Sequence, residues 1–372
     1  MSYFPGPDGA EWRRLDAVEA GLDPARLREA ASLAAARETP WGRDIGAVLA
    51  GGFFEKPPHN EVLGPTRPRG APNGLVLRRG AIVAEWGDTA RADMTFSVAK
   101  SYLSLIAGLA FDRGLIPELD EPVARRVRDP AFAGPRHQGI TWRHLLQQTS
   151  EWEGTLFGKA ELIDRNRDLM VEGQGSLKGT WREMHEPGTY WEYNDVRVNL
   201  LAYALLHVWR RPLPEVFSEL VMERVGASAG WEWHGYRTSE VTIDGRRMNS
   251  VSGGGHWGGG IFISARDQAR IGLLMLRRGE WGGRRLLSEA WVRLSTDPCA
   301  LKPGYGLMWW LNTARARYKG ASEASFFGVG AGGNLTWVDP ENDLVTVLRW
   351  TDPAAMGELA ALVTGAVVRP GG

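Results

Sequence analysis

The strand-forming stretches of this chain sit far apart, one group early and one late, and that separation constrains its fold more than any other feature. Early on, Leu75-Val76-Leu77 and Ala81-Ile82-Val83-Ala84 flank Arg78-Arg79-Gly80, which reads as a β-hairpin with glycine in its turn. Late in the chain, Ser325-Phe326-Phe327, Asn334 to Val338 and Leu344 to Trp350 read as successive antiparallel strands. Asp339-Pro340-Glu341-Asn342-Asp343 supplies the turn between the last two. Between about 110 and 255 the pattern is mostly helix and loop, with few β-branched runs. Strands on either side of a helical stretch imply one α/β domain, residues 1–109 and 256–372, interrupted by a mainly helical domain, 110–255.

Helix signals support this layout. Asp23-Pro24 places an N-cap before a proline at the first helical position, with Leu27, Ala31 and Leu33 following on a buried side. Residues 39 to 70 are rich in proline and glycine and read as a long irregular connection. Thr141 to Ser150 reads as a short capped helix. Ile261-Phe262-Ile263-Ser264 reads as a strand that runs into an amphipathic helix from Ala265 to Met275, and a final helix spans about Pro353 to Val368.

The stretch Thr95-Phe96-Ser97-Val98-Ala99-Lys100 opens another helix, with apolar residues at Val98, Tyr102, Leu105, Ile106 and Leu109 and a stop at Gly114. Ser97 falls in the first turn, where backbone N–H groups are unpaired and the helix dipole favours negative charge. Lys100 is three residues on, so its ammonium stands on the same face as the Ser97 hydroxyl. A serine is a poor nucleophile until a neighbouring base takes its proton. A lysine held close and partly desolvated can be that base, because burial disfavours its charged form. Ser97 and Lys100 are therefore candidate catalytic residues.

This stretch resembles the first motif of the penicillin-recognising serine hydrolases, which include class C β-lactamases, DD-peptidases, family VIII carboxylesterases and 6-aminohexanoate-dimer hydrolases. The resemblance implies a β-lactamase/transpeptidase-like α/β (α+β) fold, an antiparallel sheet flanked by helices with an inserted helical domain and the nucleophile between the two. Thr141 to Ser150 is similar to the Thr-x-x-x-Leu-Leu-x-x-Thr-Ser run that follows the first motif. Gly188-Thr189-Tyr190-Trp191-Glu192-Tyr193-Asn194-Asp195, ahead of a Leu-Leu helix, resembles the second motif and puts Tyr193 on its tyrosine. That phenol, near Lys100, can act as base where the cation favours the phenolate, or pass a proton to the leaving group.

The usual second motif is Tyr-x-Asn, whereas Asp195 occupies the asparagine position here. An ionised Asp195 only accepts hydrogen bonds. If it approaches Lys100 it holds that lysine charged and Tyr193 becomes the base; if it points away, Asn194 does the positioning. Phe326 to Asn334 stands where the third motif belongs, with Gly328-Val329-Gly330 in place of Lys-Thr-Gly and no cation. Glycines let this backbone pass close to a substrate. The resemblance implies an oxyanion hole from the N–H groups of Ser97 and Ala331. Without the third-motif cation, ester or linear amide cleavage fits better than penicillin hydrolysis, and the 6-aminohexanoate-dimer hydrolases are the relatives most resembled.

Gly253 to Gly260 carries so many glycines that tight turns or a close approach to another group are expected, with His256 and Trp257 as pocket walls or buried supports. Trp152, Trp181 and Trp191 are further wall candidates among 17 tryptophans. Gly226-Ala227-Ser228-Ala229-Gly230 spells a nucleophile elbow, but it follows a helical run rather than a strand. The seven histidines show no metal-ligand spacing and Cys299 is alone, so neither metal nor cofactor nor internal disulfide is expected. Forty-four basic residues balance 44 acidic ones, which gives no reason to expect a nucleic-acid or membrane partner. No signal-peptide pattern or membrane-length apolar run is present, so a cytoplasmic enzyme acting on a small ester or amide is expected. The alternative is a protein of the same fold that binds acyl or peptide ligands without turnover.

Overall fold

The computed structural model describes residues 3–8, 10–169 and 175–368. The five early and late strands join with Trp310–Leu311, a short edge strand not read from the sequence, in one six-stranded antiparallel sheet, ordered Trp310–Leu311, Phe326–Gly330, Asn334–Asp339, Leu344–Arg349, Asn73–Arg78, Ala81–Trp86. The expected hairpin turns at Arg79 (φ 53°) and Gly80 (φ 85°), both left-handed as a tight two-residue turn demands. At the late turn, Asn342 donates its backbone N–H and its side-chain amide to the Asp339 carboxylate (3.2 and 2.7 Å), which fixes the register Asp339 opposite Leu344.

Side chains alternate across this sheet, and both faces are covered. Leu75, Leu77, Val345 and Val347 point into the larger core, shared with the Ser97 helix (Val98–Asp112) and the helix Ala265–Leu276. Val76, Leu335, Leu344 and Leu348 point the other way, onto the helices Pro24–Ala36 and Met356–Gly365. Burying each such side chain stabilises the fold by roughly 1.5–3 kcal/mol. The N-caps at Asp23 and Thr141 behave as read, and Ser264, read as the end of a strand, is instead a cap. Asp23 accepts from Ala25 and Arg26, Thr141 and His144 form a reciprocal capping box, and Ser264 accepts from Asp267.

One element was hidden in the stretch read as helix and loop. Glu232–Ile243 and Arg246–Val251 form a long hairpin whose first strand also pairs with Gly260–Ile263. A register shift between Gly235 and Glu240 breaks the two-residue alternation that would have exposed the strand. Asp244-Gly245, both at positive φ, was the available signal. The elbow-like Ser228 is tied to Asp267 by its hydroxyl (2.6 Å) and opens no helix. Among the described residues, no helix is long and apolar enough to cross a membrane.

The sheet meets the Ser97 helix through two glycines. A Cβ on Gly328 would lie 3.1 Å from Ser101 Oγ, and one on Gly330 only 1.9 Å from the Thr95 carbonyl oxygen. Here the glycines serve approach of strand to helix. Gly330→Ala is therefore expected to cost about 1–3 kcal/mol through overpacking, read as a lower urea midpoint with unchanged slope.

Candidate active site

Ser97 is set by a tightly held corner. Thr95 donates its N–H to Ile261 O (3.0 Å), and the Arg349 guanidinium clamps the carbonyls of Ile263 (2.7 Å), Asp93 and Met94 (both 2.9 Å). Phe96 is then forced to φ 52°, an uncommon conformation for a bulky residue, held by ring contacts with Trp41, Phe54 and Trp350. After this kink Ser97 enters the helix with helical backbone (φ −68°, ψ −3°) and makes no side-chain cap. Its hydroxyl is thus free for another partner. Lys100 Nζ donates to Ser97 Oγ at 2.8 Å, and Ser97 stays half-buried at the surface end of the helix.

Three oxygens surround Lys100 Nζ: Ser97 Oγ, Asp195 Oδ1 at 2.6 Å and Gly253 O at 3.4 Å. An ammonium has three donors and no acceptor, so this shell suits the charged lysine. Asp195 does approach Lys100. Gly254 leaves room for the pair, since a Cβ there would lie 3.0 Å from Nζ. Tyr193 is buried beside them, its ring centroid 4.9 Å from Lys100 Nζ and 5.2 Å from Arg167 Cζ. Trp310 stacks on Tyr193 at 5.6 Å, and Tyr305 and Trp191 extend this aromatic wall.

Behind Asp195 lies a buried ionic cluster. Its Oδ2 faces Arg167 (3.0 Å) and His256 Nδ1 (2.8 Å), and Arg167 also meets Asp164 at 3.1 Å. Lys178 Nζ bridges Glu55 (2.6 Å) and Asp164 (3.2 Å). Burial alone would raise the Asp195 carboxyl, but Lys100, Arg167 and His256 outweigh it and hold the group well below the usual carboxylate range. Burial, assisted by neighbouring Lys178, lowers His256 to about 4, which keeps the imidazole neutral at pH 7. Burial and then Asp164 raise Glu55 to about 8, against the pull of Lys178 and Arg167. Glu55, Asp164 and His256 bring three potential metal donors within 4.8 Å of one another, a grouping that sequence spacing could not show. The Lys178 ammonium already meets both carboxylates.

The other expected site residues are distributed as follows. Asn194 is fully buried and occupied as N-cap of Asp195–Trp209, accepting from Val196 and Arg197 and donating to Glu161. His256 and Trp257 are 3% and 1% exposed and stack on each other, so they support the site from behind instead of walling a pocket. Trp152 is core, Trp181 lies in solvent, and Trp191 joins the half-buried aromatic wall. Gly328 and Gly330 face the Ser97 helix and its entry corner. Ala331, half-buried, follows directly; Asn334 holds its carbonyl at 2.7 Å. Among the turn and loop hydrogen bonds of the described residues, neither the Ser97 nor the Ala331 N–H donates to a backbone carbonyl. Sequence reading missed Arg167, Lys178 and Glu55, which sit in irregular segments, and Asp164, which ends a single 3-10 turn, all without periodicity or motif.

Residues 75–363 match the Beta-lactamase family. The chain is 24% identical over 312 residues to a 6-aminohexanoate-dimer hydrolase of Paenarthrobacter ureafaciens, covering 75% of this chain and 72% of that protein. Among solved structures, a penicillin-binding protein homologue from Caulobacter crescentus superposes with TM-score 0.60 at 14% identity, covering 93% of this chain and 99% of that one. A family VIII carboxylesterase superposes with TM-score 0.57 at 16% identity, covering 91% and 97%. These structural likenesses bear out the expected β-lactamase/transpeptidase-like fold.

Glu55 gives this cluster a measurable pH signature. Its folded value lies above its ordinary 4.5, so its contribution to stability is full below 4.5 and is lost as pH rises through about 8. Glu55→Gln lacks that titration. In urea unfolding at a series of pH values, its stability relative to wild type is expected to improve steadily from pH 5 to pH 8.

Proposed function

The chain belongs to the Beta-lactamase family of hydrolases, and on that premise we propose that it cleaves an ester or linear amide through an acyl-enzyme on Ser97. The observation that carries this reading is the Ser97–Lys100–Asp195 contact. The Ser97 hydroxyl is uncapped, half-buried and hydrogen-bonded by a lysine whose other neighbours are oxygens. A lysine held as ammonium cannot take the serine proton. That role passes to Tyr193, acting as phenolate beside the cation.

In the proposed sequence Ser97 Oγ attacks the carbonyl carbon as its proton moves to the Tyr193 oxygen. The Ser97 and Ala331 N–H groups receive the developing oxyanion. Tyr193 then protonates the leaving alkoxide or amine, and the carbonyl–leaving group bond breaks. Water, deprotonated by the regenerated phenolate, attacks the acyl carbon; the acyl–Oγ bond breaks, the acid leaves, and Tyr193 returns the proton to Ser97 Oγ. No step calls for a metal or cofactor. Gly328 stands where β-lactam-processing relatives carry a cation, which argues for substrates that need no carboxylate anchor on that strand. The names of the similar proteins, one a dimer hydrolase of 6-aminohexanoate and one a carboxylesterase, are consistent with linear amides and esters alike.

Brief exposure to a reactive acyl ester, followed by intact-mass measurement, tests this. Wild type is expected to show an adduct that decays, and Ser97→Ala none, with its melting curve intact. A persistent wild-type adduct would favour a ligand-binding protein over an enzyme; turnover by a folded Ser97→Ala would sink the proposal. Tyr193→Phe is expected to slow acylation by roughly a hundredfold to ten-thousandfold, the usual worth of a positioned base.

A further inference from the structure

Asp195 replaces an asparagine of the motif that the chain otherwise resembles, and the substitution has an electrostatic consequence for Tyr193. With Lys100 as its only compensation, a second-motif aspartate would cancel the positive field on which a phenolate depends. The structure supplies a further cation. Arg167 reaches in from the segment after the 3-10 helix Glu161–Asp164, its side chain 5% exposed. One guanidinium nitrogen lies 3.0 Å from Asp195 Oδ2 and 3.1 Å from Asp164 Oδ2, while the carbon sits 5.2 Å from the Tyr193 ring centroid.

We propose that Arg167 is a positioning residue for the reaction at Ser97, a second cation that offsets Asp195 and keeps the field at Tyr193 positive. The inference rests on the reading of Tyr193 as base. The groups around the phenol support it. From the Ser97 helix comes Lys100, from the helix that follows Tyr193 comes Asp195, and from the 3-10 helix and the segment after it come Asp164 and Arg167. Tyr305 packs edge-on with its hydroxyl held by Gln148, and on the outer side Arg317 lies over Trp310. Glu192, the neighbour of Tyr193, is occupied by Arg182 and Arg197. Behind Asp195 stand His256, neutral at pH 7, and Glu55, largely protonated, with Lys178 between Glu55 and Asp164. Lys100, Arg167 and Lys178 thus face two ionised carboxylates, Asp164 and Asp195. One positive charge is left over, and a Tyr193 phenolate balances it. Without Arg167 there is none.

The test is the pH dependence of kcat/KM for a reactive acyl ester, whose rise at low pH reports deprotonation of the base in the free enzyme. Arg167→Gln is expected to move that limb upward by about one pH unit or more, with a loss of roughly tenfold near neutrality. Arg167→Lys should keep the limb near its wild-type position. Asp195→Asn, which removes the opposing charge, should move it downward. The double variant Arg167→Gln/Asp195→Asn should return it close to wild type. A purely structural arginine would lower rate and melting temperature without moving the limb in opposite directions in the two single variants. If Arg167→Gln does not fold, Asp195→Asn and the charge-balanced double variant carry the test. A limb that stays in place in a folded Arg167→Gln or Asp195→Asn, while wild type still forms its Ser97 adduct, overturns this inference alone. Absence of any wild-type adduct overturns it together with the proposed function.

Discussion

The contact on which the rest of the structure depends is that between Lys100 and Asp195, whose side chains are 2% and 4% exposed. Taking two such ions out of water costs several kcal/mol each, and their attraction offsets this only when every remaining donor and acceptor finds a partner. The surroundings supply those partners. Gly253 offers its carbonyl and Ser97 its hydroxyl to the lysine, while Arg167 donates to the far oxygen of the aspartate and His256 Nδ1 stands 2.8 Å from it. Breaking one side of such a pair typically costs about 3–5 kcal/mol, so the site and the fold depend on it together.

Around this pair the chain is arranged by close approach more than by large side chains. A Cβ on Gly253 would meet Val198, one on Gly254 the Lys100–Asp195 pair, one on Gly328 Ser101 and one on Gly330 the Thr95 carbonyl. At Gly253 and Gly330 a side chain would force its neighbour to shift, and at Gly254 and Gly328 it would crowd the Lys100 and Ser101 side chains. A second ionic network backs the Tyr193 loop, where Arg197 spans Glu151, Glu161 and Glu192, and Arg182 joins Glu151 to Glu192. The loop that presents Tyr193 is therefore fixed by charge from behind and by Trp310 from the front.

Sequence made five of the six strands of the sheet, its hairpin and the capped helices legible, because short apolar runs, Asp339-to-Asp343 turn chemistry and N-cap residues act over a few positions. The candidates Ser97 and Lys100 stood out by their spacing on a helix turn, and Tyr193 by the resemblance of the phrase before a helix. The position of Asp195 was visible but its direction was not, since a side chain's partner across the fold leaves no trace in local pattern. Arg167, Lys178 and Glu55 were silent on the same ground: a lone basic or acidic residue in an irregular stretch reads as solvated surface. The hairpin Glu232–Ile243 and Arg246–Val251 escaped because its register shift disrupts the alternation by which strands are recognised.

The pairing of Asn73 with Arg349 carries a consequence for synthesis. The strand Asn73–Arg78 leaves the ribosome early, but its neighbour Leu344–Arg349 follows only after some 270 further residues, a long wait at roughly 5–20 residues per second. Until then the hydrogen-bonding edge of the early strand that will face Leu344–Arg349 is uncovered, a state open to wrong partners. The same late arginine clamps the carbonyls just before the Ser97 corner. A nascent chain therefore carries Ser97 for most of its translation without the clamp that sets the corner before it.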